Sequence, residues 1–170
     1  ATDFDTPLSL WNTHCSKYDG MQKTYGVSGK DVIPMWVADM DFRAAEPILA
    51  AARAEIERGH MGYYTDPASA NAAVAGWMAR RHEWSFATTA VRYTHGVIGG
   101  IGVSVAAFSE PGDRVIVFSP VYHAFYRQIR AMNREVLESE LVGRDGRYEM
   151  DFDALEGALN GRERLVILCS

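Results

Sequence analysis

Apolar positions along the chain follow two spacings, and the alternation between them sets the expected fold. In "DRVIVFSP" (113–120) four apolar residues run unbroken, as in a buried strand. "AVRYT" (90–94), "REVLESEL" (134–141) and "RLVILCS" (164–170) read as further strands. Elsewhere the apolar residues fall at helical spacing. A helix is expected from Glu46 to Arg58, with Pro47 in its first turn and Gly59 as its stop. "SANAAVAGWMARRHEW" (69–84) sorts Ala73, Trp77 and the Arg80–Arg81 pair onto different faces. "HGVIGGIGVSVAAFS" (95–109) turns helical in its later part, and "VYHAFYRQIRAMN" (121–133) is a helix. "DFDALEGALNG" (151–161) is a helix capped by Asp151 or Asp153, with Gly161 at its end. Strand and helix alternating through short connections predict an α/β domain with a mostly parallel sheet. Residues 1–45 carry Pro7, Gly20, Gly26, Gly29 and Pro34 too densely for long elements. The functional loops of such sheets follow the C-terminal ends of the strands. The last expected strand runs to Ser170, so its following loop is missing from this chain.

Composition then narrows the function classes. The 170 residues suit about one ordinary domain, 48% apolar residues supply a core, and 23% charged residues are typical of globular chains. A net charge of −5 without a block of like charges argues against nucleic acid or an anionic membrane surface. The apolar runs fall far short of the roughly 20 residues that span a bilayer. "ATDFDTPLSLW" lacks the basic and apolar regions of a secretory signal. Cys15 and Cys169 have no zinc spacing and read as free thiols, so no metal is expected and the cytoplasm is the expected compartment.

Four stretches carry candidate chemistry. "THGVIGGIG" (94–102) feeds glycines from a strand into a helix start, where free N–H groups and the helix dipole suit a phosphate. It is no Walker loop, and as a dinucleotide fingerprint Gly100 and Gly102 lie too deep in the helix; close helix–sheet packing is the other reading. "SPVYHAFY" (119–126) places Tyr122 past a strand end, either stacking on a flat heterocycle or packing in the core. His123 reads as a surface helix residue. "GYYT" (62–65) sets two tyrosines in a loop, which suits an interface or a ligand. The apolar run "IPMWVADMDF" (33–42) suits neither an ordinary buried strand nor a surface loop, and looks placed against something specific. Its Asp39 and Asp41 alternate along an extended segment and are expected to cap backbone groups.

In their order and spacing, "IPMWVADMDF", "GYYT", "WMARRHEW" (77–84), "HGVIGGI" (95–101) and "PVYHAF" (120–125) carry a resemblance. The sequence resembles the cystathionine β-lyase-like carbon–sulfur lyases, a branch of the fold-type I pyridoxal-phosphate enzymes in the aminotransferase class I/II superfamily. Two departures stand out. "LWNTHCSKYDG" (10–20) has Tyr18 where the family usually has Trp, and Ala124 stands where Pro is usual after "PVY-x".

The resemblance implies a truncated fold-type I architecture, with residues 1–45 as the N-terminal arm and part of the small domain. Residues 46–170 would be the front half of the cofactor domain. It implies pyridoxal 5'-phosphate as cofactor, a homodimer, and β-elimination from cystathionine or a cysteine conjugate to thiol, pyruvate and ammonia. Gly96 would let the cofactor phosphate approach, Val97 and Ile98 would donate N–H groups to it, and Tyr122 would stack on its ring. Tyr63 would reach the phosphate of the neighbouring subunit's cofactor. Trp36, Val37 and Ala38 would line the substrate's carboxylate end, Trp36 and Met35 shielding it from water. The family's imine-forming lysine lies beyond Ser170; Lys17, Lys23 and Lys30 all sit in the irregular N-terminal segment. This reads as an N-terminal portion of an enzyme, inactive alone. An aminotransferase and a non-catalytic binding or regulatory module are the two alternatives.

Overall fold

The computed structural model describes residues 3–27, 29, 32–63 and 65–169. Lys30, Tyr64 and Ser170, each within an expectation above, lie outside them. The chain divides into two compact units, Ala1–Asp66 and Pro67–Ser170.

The first unit holds α1 (Ser16–Asp19), α2 (Met21–Tyr25) and α3 (Glu46–Arg58). Helices of four and five residues are not stable by themselves. Here side chains from outside them supply the support. Met21 is buried, the Trp11 ring meets Tyr18 edge-on at 5.2 Å, and Tyr25 meets Trp36 edge-on at 5.3 Å. A bridge between Pro7 and Phe42 and the Leu8 N–H donated to the Asp41 carbonyl (2.6 Å) close the segment on itself. Helix α3 has the bounds its caps foretell: Pro47 lies in its first turn and Gly59 closes it at φ 69°.

The second unit runs α4 (Ala68–His82), a 3₁₀ turn (Thr88–Ala90), α5 (Gly96–Phe108), β1 (Arg114–Ser119), α6 (Ala124–Ala131), β2 (Glu135–Arg144), β3 (Arg147–Met150), α7 (Phe152–Ala158) and β4 (Glu163–Ile167). The sheet order is β3-β2-β1-β4; β1 is parallel to both neighbours, and β2–β3 is antiparallel. The fold is thus α/β with a mixed sheet, mostly parallel. Strand β1 explains its own unbroken apolar run. Val115 and Val117 pack with Phe125 and Ile129 of α6 and with Ile98 and Ile101 of α5, while Ile116 and Phe118 pack with Leu137 and with Leu155 of α7. Both faces are covered, so no polar alternation is possible.

Several expectations need correction. Residues 90–94 form no strand: a 3₁₀ turn ends at Ala90, the residues after it join no ladder, and the Arg92 guanidinium folds back onto the carbonyls of Thr89 and Val91. The α6 helix begins at Ala124, because Val121 to His123 form the turn out of β1. The α7 helix ends at Ala158, and Gly161 belongs to the turn before β4. Strand β4 ends at Ile167, short of Ser170. No helix among the described residues is long and apolar enough to cross a membrane.

Candidate functional site

Helix α5 starts without a capping side chain: His95 at its N-cap makes no cap hydrogen bond. The Gly96 N–H donates to the Thr94 carbonyl at 2.9 Å, and the Thr94 hydroxyl donates to the Gly96 carbonyl at 3.0 Å, so a tight turn feeds the helix. Gly96 has φ 73°, a left-handed conformation that costs an L residue about 1–2 kcal/mol. A Cβ built there meets nothing within 4 Å. The first-turn N–H groups of Val97 and Ile98 lie at the positive end of a helix of 13 residues, where the N-cap side chain accepts no hydrogen bond. Val97's side chain is exposed, whereas Ile98's is half-buried against the β1–α6 cluster.

Tyr122 lies just past the C-terminal end of β1, after the cis-linked Ser119–Pro120 bond. Its ring is half exposed and meets Phe125 at 5.6 Å and His123 at 5.0 Å, both steeply inclined, so among the described residues no ring stacks flat upon it. Val121, beside it, packs into the same cluster as Ile98. The start of α5 and the turn after β1 thus converge on one part of the core. Uncapped N–H groups at a helix start suit a phosphate, and a half-exposed aromatic ring suits a flat heterocycle.

The other expected site residues belong to the first unit. Trp36 and Val37 are half-buried and Ala38 is exposed. The Trp36 indole N–H donates to the Lys17 carbonyl at 2.9 Å. Tyr63 is fully exposed, its phenol facing solvent. Sequence reasoning missed Lys17. It lies in the irregular N-terminal segment, yet it is 7% exposed, and its ammonium donates to the Asp39 carbonyl (2.8 Å) and to both oxygens of the Asp41 carboxylate (3.1 Å each). Asp41 is an ion-pair partner, not a backbone cap. The partners stand 24 positions apart, and no local pattern pairs them. Burial and the Asp41 carboxylate raise the neighbouring Tyr18 phenol above its ordinary value.

Residues 30–170 match the family of aminotransferases of class I and II. Cystathionine β-lyase PatB of Bacillus subtilis is 38% identical over 169 residues, covering 99% of this chain and 43% of that protein. A PLP-bound chain from Clostridium difficile 630, described as an aminotransferase, superposes with a TM-score of 0.90 at 33% identity, covering 100% of this chain and 43% of its own. Cystalysin from Treponema denticola, which contains pyridoxal 5'-phosphate, gives 0.87 at 30% identity, covering 98% and 42%. The chain spans less than half the length of these relatives.

Proposed function

The chain belongs to the aminotransferase class I and II family, and we propose that the complete protein is a pyridoxal-phosphate-dependent carbon–sulfur β-lyase. Its substrate is cystathionine or a similar cysteine conjugate, and its products are a thiol, pyruvate and ammonia. The observation that carries this reading is the 38% identity to a cystathionine β-lyase running through 99% of the chain. The cofactor is pyridoxal 5'-phosphate, which the two solved relatives hold. When bound, it supplies an electron sink for the charge left at the substrate's α-carbon.

This chain's residues bind, orient and exclude water. Gly96, with open space where a Cβ would stand, admits the phosphate, and Val97 and Ile98 donate their N–H groups to it. Tyr122 offers its half-exposed ring to the pyridine. Trp36, Val37 and Ala38 present backbone to the substrate's carboxylate, and Met35 with Trp36 keeps water from it. Tyr63, whose phenol is exposed, donates to the phosphate of a neighbouring subunit in a homodimer, and the compartment we propose is the cytoplasm. Pro67–Ser170 contains no lysine, so we assign proton transfer at the α-carbon to a residue outside that unit.

Aminotransfer is the second reading, favoured by the aminotransferase description of the Clostridium difficile relative. Products separate the two. The complete protein, loaded with cofactor and given L-cystathionine alone, is expected to release free thiol, pyruvate and ammonia in equal amounts. A reaction that needs an added 2-oxo acid and leaves the carbon–sulfur bond whole would establish the aminotransferase. Cofactor binding with no turnover on either route would leave a binding module.

A further inference from the structure

The Lys17 cluster has a geometry that plain support of a short helix does not need. Lysine is almost never fully buried unless paired, because a desolvated ammonium is costly. Lys17 has three N–H donors, and three acceptors receive them: the Asp39 carbonyl at 2.8 Å and the two Asp41 carboxylate oxygens at 3.1 Å. None of these acceptors lies on its own helix. All lie on the segment that follows Trp36. The Lys17 carbonyl in turn accepts the Trp36 indole N–H at 2.9 Å. One residue thus grips the chain on both sides of Val37 and Ala38.

The gripped segment has little else to hold it. Among the described residues no backbone–backbone hydrogen bond ties Trp36 through Met40; the next one is the Leu8 N–H on the Asp41 carbonyl. Pro34 is buried and Trp36 and Val37 half-buried, but Met35 and Met40 are 88% and 71% exposed, so burial holds the run only in part. The Trp36 ring is set by Tyr25, edge-on at 5.3 Å, and by its bond to Lys17. A backbone without a ladder holds a ligand poorly unless side chains preorganise it.

We infer that Lys17, paired with Asp41, is a positioning residue that fixes the Trp36–Ala38 backbone for the carboxylate end of an amino-acid substrate. This rests on the proposed substrate role of that segment. Lys17 touches neither substrate nor cofactor; it acts through the Asp39 carbonyl, the Asp41 carboxylate and the Trp36 indole. On the same reading the residues that hold the cofactor, Gly96, Val97, Ile98 and Tyr122 with Tyr63 across the dimer, lie outside the clamped run, so loosening the clamp affects amino-acid binding and spares cofactor binding.

The test uses the complete, cofactor-loaded protein and the variants Lys17→Met and Asp41→Asn. Three quantities are measured: the cofactor dissociation constant by absorbance titration, kcat and KM with L-cystathionine, and the dissociation constant of 2-methylalanine, an amino acid with no α-proton to lose. Lys17→Met is expected to raise KM and the 2-methylalanine constant about tenfold or more, because the backbone that meets the carboxylate is no longer held in its binding conformation before the ligand arrives. It leaves kcat and the cofactor constant within about a factor of two, the pattern of lost uniform binding. Asp41→Asn keeps the shape and moves the same quantities by less, and the double variant is no worse than Lys17→Met alone. Amide exchange in residues 33–42 speeds up in both variants, and exchange in β1 does not. Should Lys17→Met fail to fold, Asp41→Asn carries the same split. A folded variant with unchanged KM, or one whose cofactor and substrate constants worsen together, would overturn the inference. Wild-type protein that binds no amino acid would instead strike the lyase reading.

Discussion

Gly96 and Gly102 occupy one helix and answer to different constraints. A Cβ at Gly102 would stand 2.3 Å from the Gln128 Nε2 and 3.7 Å from the Met132 sulfur, so this glycine faces the side chains at the end of α6, which would have to move aside for a larger residue. A Cβ at Gly96 meets nothing. The two readings of the glycine-rich stretch, close packing and an anion cradle, can therefore fall on different residues, and α5 packs on the β1 strand through Ile98 and Ile101 as well as toward α6. Sequence cannot separate them, because glycine looks the same whether space is scarce or deliberately open. The structure leaves Tyr122 half exposed, with only steeply inclined rings against it, so burial does not account for its position. In the complete protein Tyr122→Ala is expected to weaken cofactor binding by about 0.5–1.5 kcal/mol, the range of an aromatic pairing. Tyr122→Phe should retain most of the affinity, because stacking needs the ring and not the hydroxyl. Absorbance titration of the cofactor checks both, and equal losses in the two variants would point to a hydroxyl contact instead.

At the level of elements, the join between β1 and β4 carries a titratable pair. Arg114 and Glu163 face each other where the β1–β4 register shifts, at 2.5 Å and with both side chains largely buried. Arg114 also donates to the Ala158 carbonyl, and Glu163 accepts the N–H groups of Asn160 and Gly161. Burial works against the Glu163 charge, yet those N–H groups and Arg114 outweigh it and hold the carboxyl below its ordinary 4.5. A depressed carboxyl stabilises the fold at pH values above the unfolded value, and that stabilisation is lost as pH falls through the folded one. Glu163→Gln is therefore expected to lower the opening free energy of β4 at pH 7, because it leaves Arg114 without its charge partner. The gap from wild type should close as pH drops below 4.5. Protection factors of the Leu165 and Ile167 amides, corrected for intrinsic exchange, measure it. Other elements show what was legible beforehand. The caps of α3 and the unbroken run of β1 could be read because each cause sits within the segment. Strand β3 went unread although "RDGR" carries its hairpin signal: Asp145 and Gly146 take φ 48° and 77°, the pair of positive values a type I′ turn requires. The false strand at 90–94 shows the reverse, since a short apolar run forms a strand only with a neighbour to pair with.

Across the whole molecule, the surface keeps apolar groups that an isolated chain of this size seldom shows. Helix α3 buries none of its residues, with Ile48 and Ile56 about two-thirds exposed. In the second unit β4 is a sheet edge, Val166 and Leu168 are 55% and 66% exposed, and α5 presents Val97, Val103 and Phe108. Between α5 and β4 lies an open groove of about 830 Å³. An unpaired strand beside exposed apolar side chains is a template for pairing with another chain. The 170-residue chain expressed alone is therefore expected to self-associate, seen by light scattering on a sizing column as a mass well above 18.9 kDa. It is also expected to be inactive. It holds the proposed phosphate cradle and stacking ring, but its second unit has no lysine to form an imine. Lys17, buried and committed to Asp39 and Asp41, should react least with pyridoxal phosphate, whereas Lys23 is exposed and should show only background labelling. Borohydride reduction followed by peptide mapping reads this directly. A monodisperse monomer would contradict the self-association. Stoichiometric labelling of one lysine, with pyruvate released from cystathionine, would show that residues 1–170 contain a complete site.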